Sequence, residues 1–381
     1  MKRIILCGFL IIIALGGLRT GAAAEPRLKL EKISSEVLAA GYGVKAVLLN
    51  ADGSKVYSLN LEGLSVYEFD RASRKIQRKL VYKQHPGKGY NYDKNLWFDS
   101  LQEKPVEGCF THDGRFLWIS LHNAGGVTVW DLSGGDTYVE GMPYKEATLY
   151  ERSGDTFGKR EIRVLWIKTG VTPKIVTASP DGRYVFVANW HSNDVSVIKI
   201  DSAKPEDWVK IKDIGPSPIP RGLLVSPDSQ YLYIAQMGSD YISVISLEDL
   251  AKVRDIKIGA NPRHVIMGGG YLFVSLNIGA RLVKFDLASG KIVKSANTEK
   301  NPRTIALSKD GKIVFVSCYG GNFLQAFNAE DLSLLGSWEC KLRPVALDVF
   351  QDGDNMEVWV GNHTSGNIKV FVFKEILPVA G

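Results

Sequence analysis

The chain has 381 residues, 45% hydrophobic and 23% charged, with four cysteines and a formal net charge of +6. This composition excludes a disulfide scaffold, a collagen-like or low-complexity chain, and a strongly acidic one. So small a net charge does not by itself indicate nucleic acid, which requires clustered cations.

Residues 1–24 read as an export signal. Lys2 and Arg3 form a positive start, Ile4 to Leu15 an apolar core, and Ala22-Ala23-Ala24 a small-residue cleavage site before Glu25. The apolar run is short for a membrane span, and no other stretch is long enough. The expectation is an exported chain, periplasmic or at the cell surface or secreted, with no integral membrane segment when mature. Removing Lys2, Arg3 and Arg19 with the leader lowers the formal charge from +6 to +3. Cys109, Cys318 and Cys340 remain. An odd count leaves at least one thiol free or in an intermolecular bond. Cys318 and Cys340 fall in one repeat and could pair; separate buried thiols are the preferred reading.

Leu28-Lys29-Leu30-Glu31-Lys32-Ile33 alternates apolar and polar residues, as a strand does. From Val44 onward one pattern is written seven times. Clear copies are PKIVTASPDGRYVFVANWHSNDVSVI from Pro173, PRGLLVSPDSQYLYIAQMGSDYISVI from Pro220 and PRTIALSKDGKIVFVSCYGGNFLQAF from Pro302; looser ones begin at Val44, Pro105, Pro262 and Pro344. The prolines from Pro173 onward are spaced by 47, 42, 40 and 42 residues. That period belongs to four-stranded propeller blades. In the Pro173 copy, strands are predicted over 175–178, 184–188, 195–200 and 209–214, with a hairpin at Asp181-Gly182. The last copy offers strands near 345–350, 357–361 and 368–373 but no fourth. The unpaired strand at 28–33 would complete it and remove two open edges. The expected architecture is all-β: a single seven-bladed β-propeller over 25–381, closed by an N-terminal strand completing the last blade. Insertions are expected at 82–104 and 134–162, and the chain is expected to be monomeric.

The repeat SPDGRYVFVANWHSNDVSVI resembles those of bacterial YVTN-repeat seven-bladed propellers, related in form to the quinoprotein amine dehydrogenase propellers. The resemblance covers nearly all the mature chain and is strongest between Pro173 and Phe327. It implies an exported propeller; such families hold binding proteins, surface antigens and a few enzymes. Some related proteins hydrolyse lactones with Arg, His and Glu at the channel mouth, and Glu107 is the acid this chain could offer there.

Propeller topology places the connection into each inner strand and the second-to-third-strand loop on one face. Lys45, Lys174, Arg221, Arg263 and Arg303 follow the repeat openings, and Arg343 precedes Pro344. Converging cations suit an anionic ligand, because arginine offers two parallel donors to carboxylate or phosphate; fixing neighbouring carbonyls is the structural alternative. The same face should carry His122, Asn189, Trp190, His191, Tyr319 and His363. Their histidines lack zinc-ligand spacing, so hydrogen bonding is preferred to a metal site. In the 82–104 insertion, Tyr90, Tyr92 and Trp97 lie among lysines. Such mixtures bind single-stranded nucleic acid, sugar rings or a protein partner, or simply cover a long loop. The 134–162 insertion belongs to the opposite face and receives no chemistry. No covalent-haem, nucleophile-elbow or nucleotide-binding motif occurs, and the hairpin position accounts for Asp181, Asp228 and Asp310. The reading is a non-catalytic binding propeller without cofactor, its partner an unidentified protein or anionic ligand. A lactonase-like hydrolase and single-stranded nucleic-acid binding are the alternatives.

Overall fold

The computed structural model describes residues 28–91 and 94–376. Among them there is no α-helix, only a single 3-10 turn, Pro205–Asp207. The expected leader lies outside the described residues.

Short β-branched runs broken by Gly, Asp and Asn turns give antiparallel sheets. The copy from Pro173 forms strands Pro173–Ala178, Tyr184–Asn189, Asp194–Lys199 and Val209–Ile214, paired in chain order. The copies from Pro220, Pro262 and Pro302 repeat this order. Turn chemistry is local: Ser179 Oγ donates to Asp181 Oδ1 at 2.6 Å, the Arg183 N–H donates to the same oxygen at 3.0 Å, and Gly182 takes a φ of 74°. The Asp181 carboxyl is thereby held low despite the opposing effect of burial, and it is spent in the turn.

The strand Lys29–Ala39 pairs antiparallel with Asn367–Ile376, from Lys29 opposite Ile376 to Ala39 opposite Asn367. It completes a four-stranded sheet with Asn355–Asn362 and Pro344–Asp352. Charge locks the join. Arg74 meets Glu36 at 2.9 Å and Glu357 at 2.8 Å, while Arg71 meets the other oxygen of Glu357 at 2.9 Å. Inner strands touch in succession from Val44–Leu49 round to Pro344–Asp352, which returns to Val44–Leu49, so the sheets form a closed ring.

The 134–162 region differs from a simple loop. Strands Tyr144–Ser153 and Thr156–Lys168 make a hairpin whose second arm pairs with Gly126–Asp131. Its first arm pairs with Ile76–Tyr82 of the preceding repeat. Two sheets thus become one of nine strands.

Core clusters fill the spaces between neighbouring sheets. Phe116, Trp118 and Val129 pack against Val185, Ile198 and Trp208, with Trp118 and Trp208 ring centroids 5.1 Å apart. Each such ring removes about 150–250 Å² from water, about 4–6 kcal/mol at ~25 cal/mol/Å². Cys109, Cys318 and Cys340 are all free thiols, each pushed up by burial.

Candidate functional site: a cation-lined mouth

Each inner strand breaks register at its start. Lys45, Glu107, Lys174, Arg221, Arg263 and Arg303 all lie within these irregularities. A bulge re-aims the side chain it carries. Serines on the second strands satisfy the displaced backbone. Ser120 Oγ accepts from the Glu107 N–H at 3.2 Å and donates to the Lys174 carbonyl at 2.6 Å. Ser275 Oγ likewise serves the His264 N–H at 3.2 Å and the Arg303 carbonyl at 2.8 Å. Glycine follows Glu107 because a Cβ at Gly108 would lie 2.4 Å from the Trp118 carbonyl oxygen.

Lys45, Lys174, Arg221, Arg263, Arg303 and Arg343 line one cavity of about 1240 Å³, joined by Lys104. Small-molecule pockets commonly span about 300–1,000 Å³. Carboxylates are few. Glu62 lies 2.6 Å from Lys104 Nζ, and Glu107 accepts from Arg221 Nη2 at 3.0 Å across the ring. Four of the other cations rest on softer partners. Arg303 stacks 3.5 Å from the Tyr319 ring centroid, Arg343 donates to the Tyr319 hydroxyl at 3.2 Å, and Arg263 meets the Met237 sulfur at 3.4 Å. Lys174 lies 4.6 Å from the Trp190 ring. Arg303 also buries an Nε–H without an acceptor among the described residues. Burial first, then the neighbouring cations, hold Lys45, Lys174 and Arg263 well below their ordinary values.

His122, Trp190, Tyr319 and His363 also line the cavity. Burial lowers both histidines, with Lys174 adding for His122 and Lys45 for His363, which falls to about 3. Both rings are therefore neutral near pH 7. Among the described residues no three His, Cys, Asp or Glu gather as a metal-ligand group. His191 packs instead against the insertion, its ring 4.4 Å from Tyr90 and 5.2 Å from Trp97. This leans the hairpin Pro86–Asn91 and Leu96–Leu101 over the mouth, where Gly89, Tyr90 and Phe98 join the lining. Trp97, 49% exposed, borders a second cavity of about 270 Å³ with Lys88 and His122. Tyr92 lies outside the described residues.

Asn189 is not brought to the cavity. It is fully buried, and its amide donates to Asp194 Oδ1 at 2.7 Å and Ser196 Oγ at 2.9 Å. Asn60 and Asn362 make the matching bonds to Ser65 and Asn367, so this position pins a turn. Its recurrence was the signal that could have shown this. Sequence reasoning also missed Met237 and Asn301 in the lining, and the bulge serines; Ser120, Ser275 and Ser317 recur at the penultimate position of second strands.

No family model matches the chain. It is 29% identical over 303 residues to Antigen Lp49 of Leptospira interrogans serogroup Icterohaemorrhagiae serovar copenhageni (strain Fiocruz L1-130), covering 74% of this chain and 58% of that protein. It is 32% identical over 110 residues to hydrazine synthase subunit beta of Kuenenia stuttgartiensis, covering 29% of this chain and 25% of the subunit. The chain thus spans just over half of the first relative and a quarter of the second. Among solved structures, the β-propeller domain of Myceliophteria thermophila Cps50 (Swd1) superposes with a TM-score of 0.64 at 14% identity, covering 88% of this chain and 99% of that one. The chain is a β-propeller. The WD40 β-propeller domain of Doa1 agrees, at a TM-score of 0.62 and 12% identity, with 90% of this chain and 96% of that one covered. The likenesses to solved structures show the propeller fold alone, which does not by itself fix a function.

Proposed function

We propose that this chain is an exported, non-catalytic propeller of seven blades that binds an anionic ligand, bearing carboxylate or phosphate groups, in its cationic mouth. The observation carrying the reading is the convergence of six cations at the repeat openings on one cavity whose lining, among the described residues, includes a single carboxylate, Glu62, with Glu107 bonded to Arg221 beside it. Like charges packed under partial burial repel one another, and a bound anion relieves that repulsion. The blade count takes the nine-stranded sheet as two blades joined by the 144–168 hairpin. Membership of the YVTN-repeat group belongs to the same proposal. Export is supported by the leader-like residues 1–24 and by the similarity to a protein named an antigen.

Calorimetry at low salt, with citrate and inorganic pyrophosphate as probes, tests the site. The variant is Arg263→Gln with Arg303→Gln; Arg221 is kept so that Glu107 remains paired. Losing two charge-assisted contacts, each worth about 1.5 kcal/mol or more, weakens binding by about a hundredfold. Unchanged affinity in a folded double variant would place the site elsewhere. A second reading, a docked protein partner, is favoured by the hairpin tip, where Leu96, Trp97 and Phe98 are 45%, 49% and 43% exposed. Under that reading Trp97→Ala weakens capture of the partner while citrate binding stays unchanged. Turnover of a lactone panel, lost on replacing His122 or His363, would instead support the hydrolase alternative.

A further inference from the structure

We infer that the Lys45 amine is a nucleophile that captures a carbonyl-bearing carboxylate, an oxo acid, as a Schiff base while neighbouring guanidinium groups hold its carboxylate. The inference rests on the anion-binding reading of the same cavity.

Lys45 differs from its neighbours in what it lacks. Lys104 has Glu62, Arg221 has Glu107, Arg303 and Arg343 share Tyr319, Arg263 meets the Met237 sulfur, and Lys174 lies on Trp190. Among the described residues, Lys45 is the one cavity cation with no acceptor, carboxylate or ring as partner. An ammonium carries three N–H donors. With none of them accepted, and with Arg303, Arg263 and Arg221 acting on it, the charged form is less favoured here than in water. Burial contributes most to that depression, those three charges add to it, and Glu107 opposes it. A neutral amine has a lone pair for attack, and desolvation beside other cations is how proteins activate lysine toward carbonyls.

The choice of residue points the same way. The equivalent positions after Pro220, Pro262 and Pro302 hold arginine, which stays protonated and grips carboxylates with two donors. Arginine would serve a purely electrostatic ring at position 45 equally well; lysine adds a group able to lose its proton. The register break between Val44 and Ala46 directs that group into the space shared with Arg263 and Arg303.

The chemistry balances without an oxidant or reductant. The Nζ lone pair adds to the carbonyl carbon, and the displaced π pair moves to oxygen, which takes a proton. Nitrogen then gives up its protons as the hydroxyl leaves. One C=N bond forms, one C=O bond is lost, and one water is released.

The test treats the full chain with pyruvate or 2-oxoglutarate, then with sodium borohydride, whose hydride converts C=N to a stable secondary amine. Peptide mass mapping should find the reduced adduct on Lys45 about tenfold or more above exposed lysines such as Lys257 and Lys291, the enrichment in neutral amine given by one pKa unit. Lys45→Arg should abolish the adduct and Lys257→Arg, outside the cavity, should retain it. No adduct, an adduct on Lys174, or labelling spread over exposed lysines overturns the inference. Citrate binding measured in parallel separates the two readings. A chain that binds citrate but forms no adduct loses only the covalent step; one that does neither loses both.

Discussion

Replacing Glu107 by Gln should move stability and ligand affinity in opposite directions. Among the described residues Glu107 is the one carboxylate bonded to the arginines of the ring, 3.0 Å from Arg221, with 13% of its side chain and 8% of that of Arg221 exposed. Breaking a pair this buried costs about 3–5 kcal/mol, because a charge is left uncompensated. The amide keeps the shape and one acceptor for Arg221, so the lower part of that range is expected. Domains of 150–250 residues lose about 2–4 °C in Tm per kcal/mol, and this longer chain should lose somewhat less. The same substitution adds one net positive charge to the mouth. At an effective dielectric constant near 20, a charge about 4 Å away contributes up to about 4 kcal/mol. A third of that, after screening, already tightens anion binding about tenfold. Thermal unfolding at low salt, with and without citrate, reads both effects. Citrate at a hundred times its Kd should restore about 2.7 kcal/mol. A variant with unchanged Tm and unchanged or weaker citrate affinity would refute the charge-balance argument. Had Glu107 been a hydrolytic general base, the substitution would instead abolish lactone turnover.

Two further outcomes follow from other parts of the chain. Asp348 Oδ2 accepts from the Leu49 N–H at 2.8 Å where the ring closes, and Oδ1 accepts from the Val349 N–H at 2.8 Å; burial pushes this carboxyl up to about 6. Its protonated form is favoured in the fold. The stability it confers is complete below the unfolded carboxyl value near 4 and is lost as pH rises through about 6, some 3 kcal/mol in all. Urea unfolding from pH 4 to 8 should show this slope in the wild type beyond that of Asp348→Ala; equal slopes would reject the assignment. Export predicts a mature N-terminus at Glu25, read by mass spectrometry of protein from the periplasm or medium. Recovery of the intact leader would remove the support for export.

Strands and hairpins were legible because their causes are local. Asp181-Gly182 closes a turn with atoms only a few residues away, and alternation from Leu28 to Ile33 announces a strand before its partner is known. The convergence of Lys45, Lys174, Arg221, Arg263 and Arg303 on one cavity was legible for a related reason: equivalent positions at the repeat openings come together when the repeats close. What escaped was set by distant pairing. Nothing in Tyr144–Ser153 says that it will hydrogen-bond to Ile76–Tyr82, since either arm of a hairpin can seek any free edge. Asn189 was assigned to the surface because a polar residue after a strand normally faces water. Its amide turns inward because two acceptors, Asp194 and Ser196, await it there. The bulges were hidden too, because they show only once inner and second strands are aligned.

Repetition alone would build a mouth with equal charge at every repeat, and such a ring could bind an anion without orienting it. This ring departs from equality in three places. Glu107 replaces the cation of its repeat and engages Arg221 across the ring. Lysine rather than arginine stands at 45 and 174. The aromatic hairpin enters between the first two repeats and leans on His191. Neutralising Arg221 leaves the cations without a carboxylate, among the described residues, on the arc of Arg263, Arg303, Arg343 and Lys45, with Lys174 beside Trp190, while Tyr90 of the hairpin and Trp190 line the cavity. Under the proposed anion-binding reading, a ligand would place its anionic end on the arc and its less polar body beneath the hairpin. Orientation, which a symmetric ring could not supply, therefore comes from the residues that break the repeat.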